Sequence, residues 1–171
     1  MADAYTELAR ASFESYTNNG VRIEVPDGLG EDLVGRRAGC FVSLHKEGML
    51  RGCIGTLGPV QTCLAEEIIE NAISACSRDP RFPPVAPDEL AAIECSVDVL
   101  GLPEAIDDPE QLDVRRYGVI VSRGFKRGVL LPDLEGVDTV EMQVAIAKQK
   151  AGIAQSESCD LQRFEVVRHH E

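Results

Sequence analysis

Two β-prone runs, Gly39 to Leu44 and Met49 to Ile54, flank Lys46-Glu47-Gly48, and this spacing constrains the fold more than any other feature of the chain. A gap this short cannot carry a crossover, so the two runs must fold back on each other as an antiparallel hairpin. A second hairpin pattern follows in Tyr117 to Val121 and Val129 to Leu131, turned around Arg123-Gly124 and Arg127-Gly128 and ended by Pro132. Between them Ile93, Cys95, Val97 and Val99 alternate with Glu94, Ser96 and Asp98, the pattern of a half-buried strand. Leu161 to Val167 is the last strand candidate, and Val21 to Val25 a weaker one in a Gly- and charge-rich stretch from 21 to 38.

Helices are inserted among these strands without strict alternation. Tyr5, Leu8, Ala9, Ser12, Phe13 and Tyr16 form one helical face, stopped at Asn18-Asn19-Gly20. Pro59 suits a first helical turn, and Val60, Leu64, Ile68, Ala72 and Cys76 then repeat at helical spacing to Ser77. The prolines of Asp79-Pro80-Arg81-Phe82-Pro83-Pro84 bar its continuation. Asp138 with Glu141 resembles a capping box for a helix through Ala151, closed by Gly152, and an acidic loop spans Pro103 to Leu112. The pattern predicts an α+β fold with a mainly antiparallel or mixed sheet and packed helices, in one domain over residues 1–171. Neither G-x-G-x-x-G nor a Walker-type loop occurs, which removes dinucleotide and P-loop chemistry.

Charge bounds the partners. With 29 acidic against 17 basic residues the chain carries −12, a surface that repels phosphate backbones, so no nucleic-acid partner is expected. The cluster Arg115, Arg116, Arg123, Lys126 and Arg127 runs against that balance and reads as a solvated hairpin. The N-terminal residues lack a signal-peptide pattern and no stretch reaches the ~18 apolar residues of a membrane helix, which predicts a cytoplasmic protein with no membrane partner. The six cysteines, Cys40, Cys53, Cys63, Cys76, Cys95 and Cys159, include no Cys-x-x-Cys pair, so neither a metal site nor a cofactor is predicted. Reduced, mostly buried thiols are the expectation.

One segment, Leu50-Arg51-Gly52-Cys53-Ile54-Gly55-Thr56-Leu57, is poorly explained by strand packing alone. Glycine inside a strand marks a bulge or a close approach to the backbone, and Gly52 and Gly55 flank Cys53. Residues two apart share a strand face about 7 Å from each other, so if Leu50 and Ile54 face the core, Arg51 and Cys53 face out. A guanidinium beside an exposed thiol lowers its pKa and favours thiolate, the nucleophilic form. The other reading is a small buried cysteine with Arg51 as a surface cation. No general base stands near Cys53 in the pattern: His45 lies across the turn, nearer Met49, and the pair His169 and His170 has no ligand spacing.

Leu50 to Leu57, Asp79 to Val85, the strand Glu94 to Leu100, Tyr117 to Val121, Leu130 to Glu141 and Lys150 to Ile153 together resemble, in order, the AMMECR domain family, most closely its bacterial branch, AmmeMemoRadiSam system protein A. The resemblance implies a larger and a smaller lobe with a cleft at the LRGCIG segment. It also implies association with a Memo-like protein, itself similar to extradiol dioxygenases, and with a radical S-adenosylmethionine protein. It implies no particular reaction. Carried onto this chain, the motif positions are Leu50, Arg51, Gly52, Cys53, Ile54, Gly55, Thr56, Asp79, Arg81, Phe82 and Lys150. Asp79 to Pro84 also reads as a turn and Lys150 as a cation complementing a helix dipole. Two functions stay open: a component that binds a small ligand or partner at this segment, and an enzyme using Cys53, with Arg51, as nucleophile or redox thiol.

Overall fold

The computed structural model describes residues 2–171 and divides them into two compact units, one running to Leu100 and taking in Val167–Glu171, the other spanning Gly101–Val166. The strands pair largely antiparallel.

The first unit begins with α1 (Ala4–Asn19), capped by the Asp3 carboxylate and closed by Gly20 in the left-handed conformation. A single turn, α2 (Glu31–Val34), stands in the loop that follows. Val21 to Val25 is not a strand; the residues lack a pairing partner, although Ile23 and Val25 still pack against the core. Strands β1 (Cys40–Lys46) and β2 (Met49–Gly55) form the first hairpin, with Glu47 and Gly48 both at positive φ, the backbone that a two-residue turn between twisted strands requires. Helix α3 (Leu64–Ser77), a short 3-10 helix (Pro87–Ala92) and strand β3 (Ile93–Leu100) complete the element set, and β3 lies between β1 and β7 (Asp160–His170). Strand β2 is the free edge.

Helix α3 starts five residues later than the apolar spacing predicts. The amides of Val60 and Gln61, which a helix from Pro59 would have to accommodate, instead donate to one carboxylate oxygen of Glu67 at 3.0 and 2.8 Å, and Cys63 is extended. One face of the β1–β3 layer carries Cys40, Val42, Leu44, Cys95, Val97 and Val99 into a core with α1 and α3. The opposite face carries Phe41, Ser43, Ser96 and Asp98.

In the second unit β4 (Glu104–Ile106) pairs with the first part of β7, whose other side takes β5 (Tyr117–Arg123), and β6 (Lys126–Leu130) forms the edge. The acidic loop therefore holds a short strand that its charge conceals. Helix α4 (Val140–Ala151) packs on β5 and β6 and ends at Gly152, left-handed as the sequence predicts. Its cap is Thr139 and not Asp138: the Thr139 hydroxyl accepts from the Met142 amide at 3.2 Å, while Asp138 pairs with Arg115.

Candidate functional site

Strand β2 does not alternate regularly. The register with β1 shifts between Leu44 and His45, so that Leu44 faces Gly52 and His45 faces Leu50, leaving Arg51 as an inserted residue. This bulge corrects the expectation that Leu50 and Ile54 share the core face: Ile54 packs against the core, whereas Leu50 is exposed beside the still more exposed Met49. Gly52 points inward. A Cβ there would stand 2.2 Å from the Ala75 carbonyl oxygen, so the object that approaches this backbone is helix α3 itself. At Gly55 the close neighbour is Phe41, 2.3 Å from where a Cβ would be.

Cys53 points to the opposite face. The register aligns it with Ser43 and Ser96, and the next row is Gly55, Phe41 and Asp98. The Ser43 hydroxyl donates to Cys53 Sγ at 3.2 Å. Asp98, buried, is held by the Arg168 guanidinium at 2.6 and 3.0 Å.

The guanidinium beside Cys53 belongs to Arg81, not Arg51. Asp79, almost fully buried, accepts the Cys53 amide at 3.0 Å, while its carboxylate also takes the Arg81 amide, Nε and Nη2 at 3.0, 3.0 and 2.8 Å. Arg81 Nη2 in turn donates to the Cys53 carbonyl at 3.2 Å. Both outward backbone groups of Cys53 are thus satisfied by an ion pair standing where a neighbouring strand would lie. The Arg81 hydrogen bonds, with those from the Cys53 and Arg81 amides, hold the Asp79 carboxyl well below the ordinary carboxylate range. Phe82 lies under Arg81, its ring 5.4 Å from the guanidinium carbon.

Arg51 is engaged elsewhere. Its Nε and Nη2 donate to Glu89 at 3.1 and 2.9 Å, and Nη1 and Nη2 reach the Pro83 and Pro84 carbonyls. Glu89 also accepts from Lys46 and from the Ala86 amide, and Arg51 first, then these donors, bring its carboxyl down to about 2. With Arg51 so occupied, burial dominates the thiol: Cys53 is pushed above the ordinary cysteine value, and the opposing effects of Ser43 and Arg81 do not reverse it. The expectation of a thiol activated by Arg51 is therefore corrected on geometry and on sign.

Thr56 is held inside the unit. Its hydroxyl donates to Glu67 at 2.7 Å and accepts from Asn71 Nδ2 at 3.2 Å, and the same Asn71 nitrogen reaches the Cys40 carbonyl at 3.0 Å. Lys150 belongs to the second unit, where its Nζ donates to the Val129 carbonyl on β6 at 2.9 Å. Glu67, Asn71 and Glu89 were not singled out by the sequence. A signal existed for the first two, a carboxylate and an amide four residues apart within an apolar helical stripe; Glu89 lies in the short 3-10 helix Pro87–Ala92, where Pro87-Asp88-Glu89 marks a helical start but nothing local points to Arg51.

All six cysteines are free. Cys40 and Cys95 are pushed up to about 12 by burial. Among the described residues no group of three or more His, Cys, Asp or Glu side chains could hold a metal ion, and no helix is long and apolar enough to cross a membrane.

The AMMECR1 family model matches residues 6–169. The chain belongs to the AMMECR1 family. A Thermotoga maritima relative is 52% identical over 167 residues, covering 96% of both chains. The Clostridium acetobutylicum protein CA_C1420 is 51% identical over 170 residues; these make up 99% of the present AMMECR1-family chain and 36% of that protein, so the chain spans about a third of it. The crystal structure of the uncharacterised protein PH0010 from Pyrococcus horikoshii matches with a TM-score of 0.89 at 33% identity, over 96% of this chain and 88% of that one. PH0010 thus shares the α+β, largely antiparallel architecture of this AMMECR1-family chain.

Proposed function

We propose that this AMMECR1-family chain is a binding component of a cytoplasmic Memo-like and radical S-adenosylmethionine protein system, taking a small ligand or a partner surface on the LRGCIG segment. The observation that carries this reading is the immobilised edge at Cys53. Asp79 and Arg81 hold both its backbone groups, so the side chain is presented at a fixed position beside Ser43 on the face away from the helices. Such preorganisation serves recognition without chemistry at the thiol. Met49 and Leu50, exposed on the same strand, extend the contact surface.

An enzyme using Cys53 as nucleophile or redox thiol is the alternative. Its thiol is raised by burial, the wrong direction for a nucleophile at neutral pH, and none of the three histidines hydrogen-bonds the sulfur. Titration calorimetry of the chain with the Memo-like protein of its own organism tests the binding reading. A saturable complex weakened by Leu50→Asp is expected. No binding with both proteins folded, or binding indifferent to Leu50→Asp and to Ser43→Tyr, overturns it.

A further inference from the structure

Strand β7 sets charges of opposite sign along one face of the second unit's sheet. Arg163 and Glu165, two residues apart, share that face, and the register places Glu104 of β4 across from Arg163 and Tyr117 of β5 across from Glu165. These four side chains, with Arg116 and Leu102, line a chiefly polar cavity of about 320 Å³, within the roughly 300–1,000 Å³ of small-ligand sites.

The two ion pairs in the cavity leave much of their hydrogen-bonding capacity unused. Arg116 reaches Glu165 through Nε at 2.7 Å, while Arg163 gives Nε to Glu104 at 2.8 Å and Nη1 to the Gln111 carbonyl at 2.7 Å. Among the described residues both Nη atoms of Arg116, Nη2 of Arg163 and the second oxygen of each glutamate take no hydrogen bond. Tyr117 adds a further unused group. It is 8% exposed, yet its hydroxyl has no hydrogen-bond partner among the described residues, whereas buried hydroxyls are ordinarily bonded. Its position is fixed from both sides of the backbone: the Tyr117 N–H donates to the Asp113 carbonyl at 2.7 Å and its carbonyl accepts from Gln143 Nε2 at 2.8 Å. The guanidinium carbons of Arg116 and Arg163 lie 4.8 and 4.3 Å from its ring centre.

Donors and acceptors are therefore both on offer, and the charges around them sum to zero. A simple anion on the guanidinium ends also meets two carboxylates one strand spacing away, about 5 Å, and a simple cation meets the reverse. A molecule carrying a carboxylate and an ammonium a few ångströms apart satisfies both signs at once. We propose that this cavity, separate from the LRGCIG segment, binds a free α-amino acid with an apolar side chain. The ligand carboxylate accepts from Arg116, Arg163 Nη2 and the Tyr117 hydroxyl, its ammonium donates to the unused oxygens of Glu104 and Glu165, and its side chain rests on Leu102, almost fully exposed at the rim.

Titration calorimetry of the full chain with L-leucine, N-acetyl-L-leucine, L-leucinamide and inorganic phosphate tests this. L-leucine should bind saturably, and the derivative lacking the ammonium and the one lacking the carboxylate should each bind about tenfold more weakly or worse, the loss of one charged hydrogen-bonding group. Glu104→Gln should weaken L-leucine but tighten N-acetyl-L-leucine, because it removes an ammonium acceptor and releases Arg163; a merely structural role would move both the same way. Arg116→Gln and Tyr117→Phe should weaken both ligands. Circular dichroism should be unchanged in Glu104→Gln and Arg116→Gln, since both side chains are more than half exposed. No saturable binding of L-leucine by the folded chain overturns the proposal, as does L-leucine binding indifferent to all three substitutions. Phosphate or N-acetyl-L-leucine binding as tightly as L-leucine also overturns it, leaving a plain anion site.

Discussion

The Asp79 carboxylate accepts the backbone N–H of Cys53 at 3.0 Å, across a gap in which a further strand would otherwise pair. An unpaired edge strand templates aggregation, and here the edge is closed by side chains whose own charge is balanced by Arg81. Asp79→Ala leaves the Cys53 amide without this acceptor and should cost about 2–3 kcal/mol, in the range of a hydrogen bond to a charged group. Arg81→Ala should also destabilise, by about 1–3 kcal/mol, because it leaves the buried Asp79 carboxylate without its counter-charge, the half-exposed guanidinium moderating the loss. Hydrogen exchange separates the two: Cys53 amide protection should fall in the first variant and persist in the second. Equal loss in both would assign the effect to Arg81 and not to the Asp79 hydrogen bond.

The Glu89 cluster sets an acid limit on stability. Its folded pKa of about 2 lies below the ordinary 4.5, so the stabilisation is fully present above 4.5 and is lost as pH falls from there toward 2. Removing this linkage should forfeit on the order of 2–3 kcal/mol, in line with both side chains of the Arg51–Glu89 pair being largely shielded from solvent. Urea unfolding at a series of pH values should show Glu89→Gln already destabilised at neutral pH and its curve flatter than wild type between 4.5 and 2. A variant whose acid limb overlays that of wild type with the same slope would move the effect to other carboxylates, Asp79 first.

Gly52 and Gly58 form a matched pair for testing close approach. At Gly52 an added methyl meets the Ala75 carbonyl oxygen at 2.2 Å, backbone that cannot swing aside, whereas at Gly58 nothing lies within 4 Å. Gly52→Ala should lose roughly 1–3 kcal/mol or more by forcing β2 from α3, and Gly58→Ala should be near neutral. Thermal melts of the two variants decide it, and similar melting temperatures would mean that β2 moves freely relative to the helix.

The hairpins, both of the longer apolar helices and the strand Ile93–Leu100 were legible because period and turn chemistry are local properties. The edge closures were not. Asp79 and Arg81 read as a turn next to a proline stop, and nothing local says that both reach Cys53 26 to 28 residues back. Lys150 reads as a helix-end cation, yet it satisfies a carbonyl on the edge strand β6. The strand face of Cys53 was foreseen, but its electrostatics were not. A bulge at Arg51 shifted the register by one residue, and that shift sent the guanidinium to Glu89.

Chemical labelling of Cys53 is the direct test of that bulge. Burial raises its pKa, and the charge opposing the shift is Arg81 rather than Arg51, so three outcomes follow from one geometry. In a short iodoacetamide pulse near neutral pH, peptide-resolved mass spectrometry should find Cys53 slowly modified, because thiolate is scarce below a midpoint that lies above the unperturbed ~8.5. Its rate should climb as pH rises through that midpoint. Arg51→Ala should leave the midpoint in place, since its guanidinium is spent on Glu89 and the Pro83 carbonyl. Arg81→Ala should raise the midpoint further by removing the one cation that favours thiolate, unless the opened edge also exposes the sulfur. That second effect would show as faster labelling at pH values where the Cys53 thiol is ionised in both proteins and access sets its rate. Rapid labelling of the wild type at neutral pH, slowed by Arg51→Ala, would restore the activated-thiol enzyme and remove the basis for reading this strand as a recognition surface.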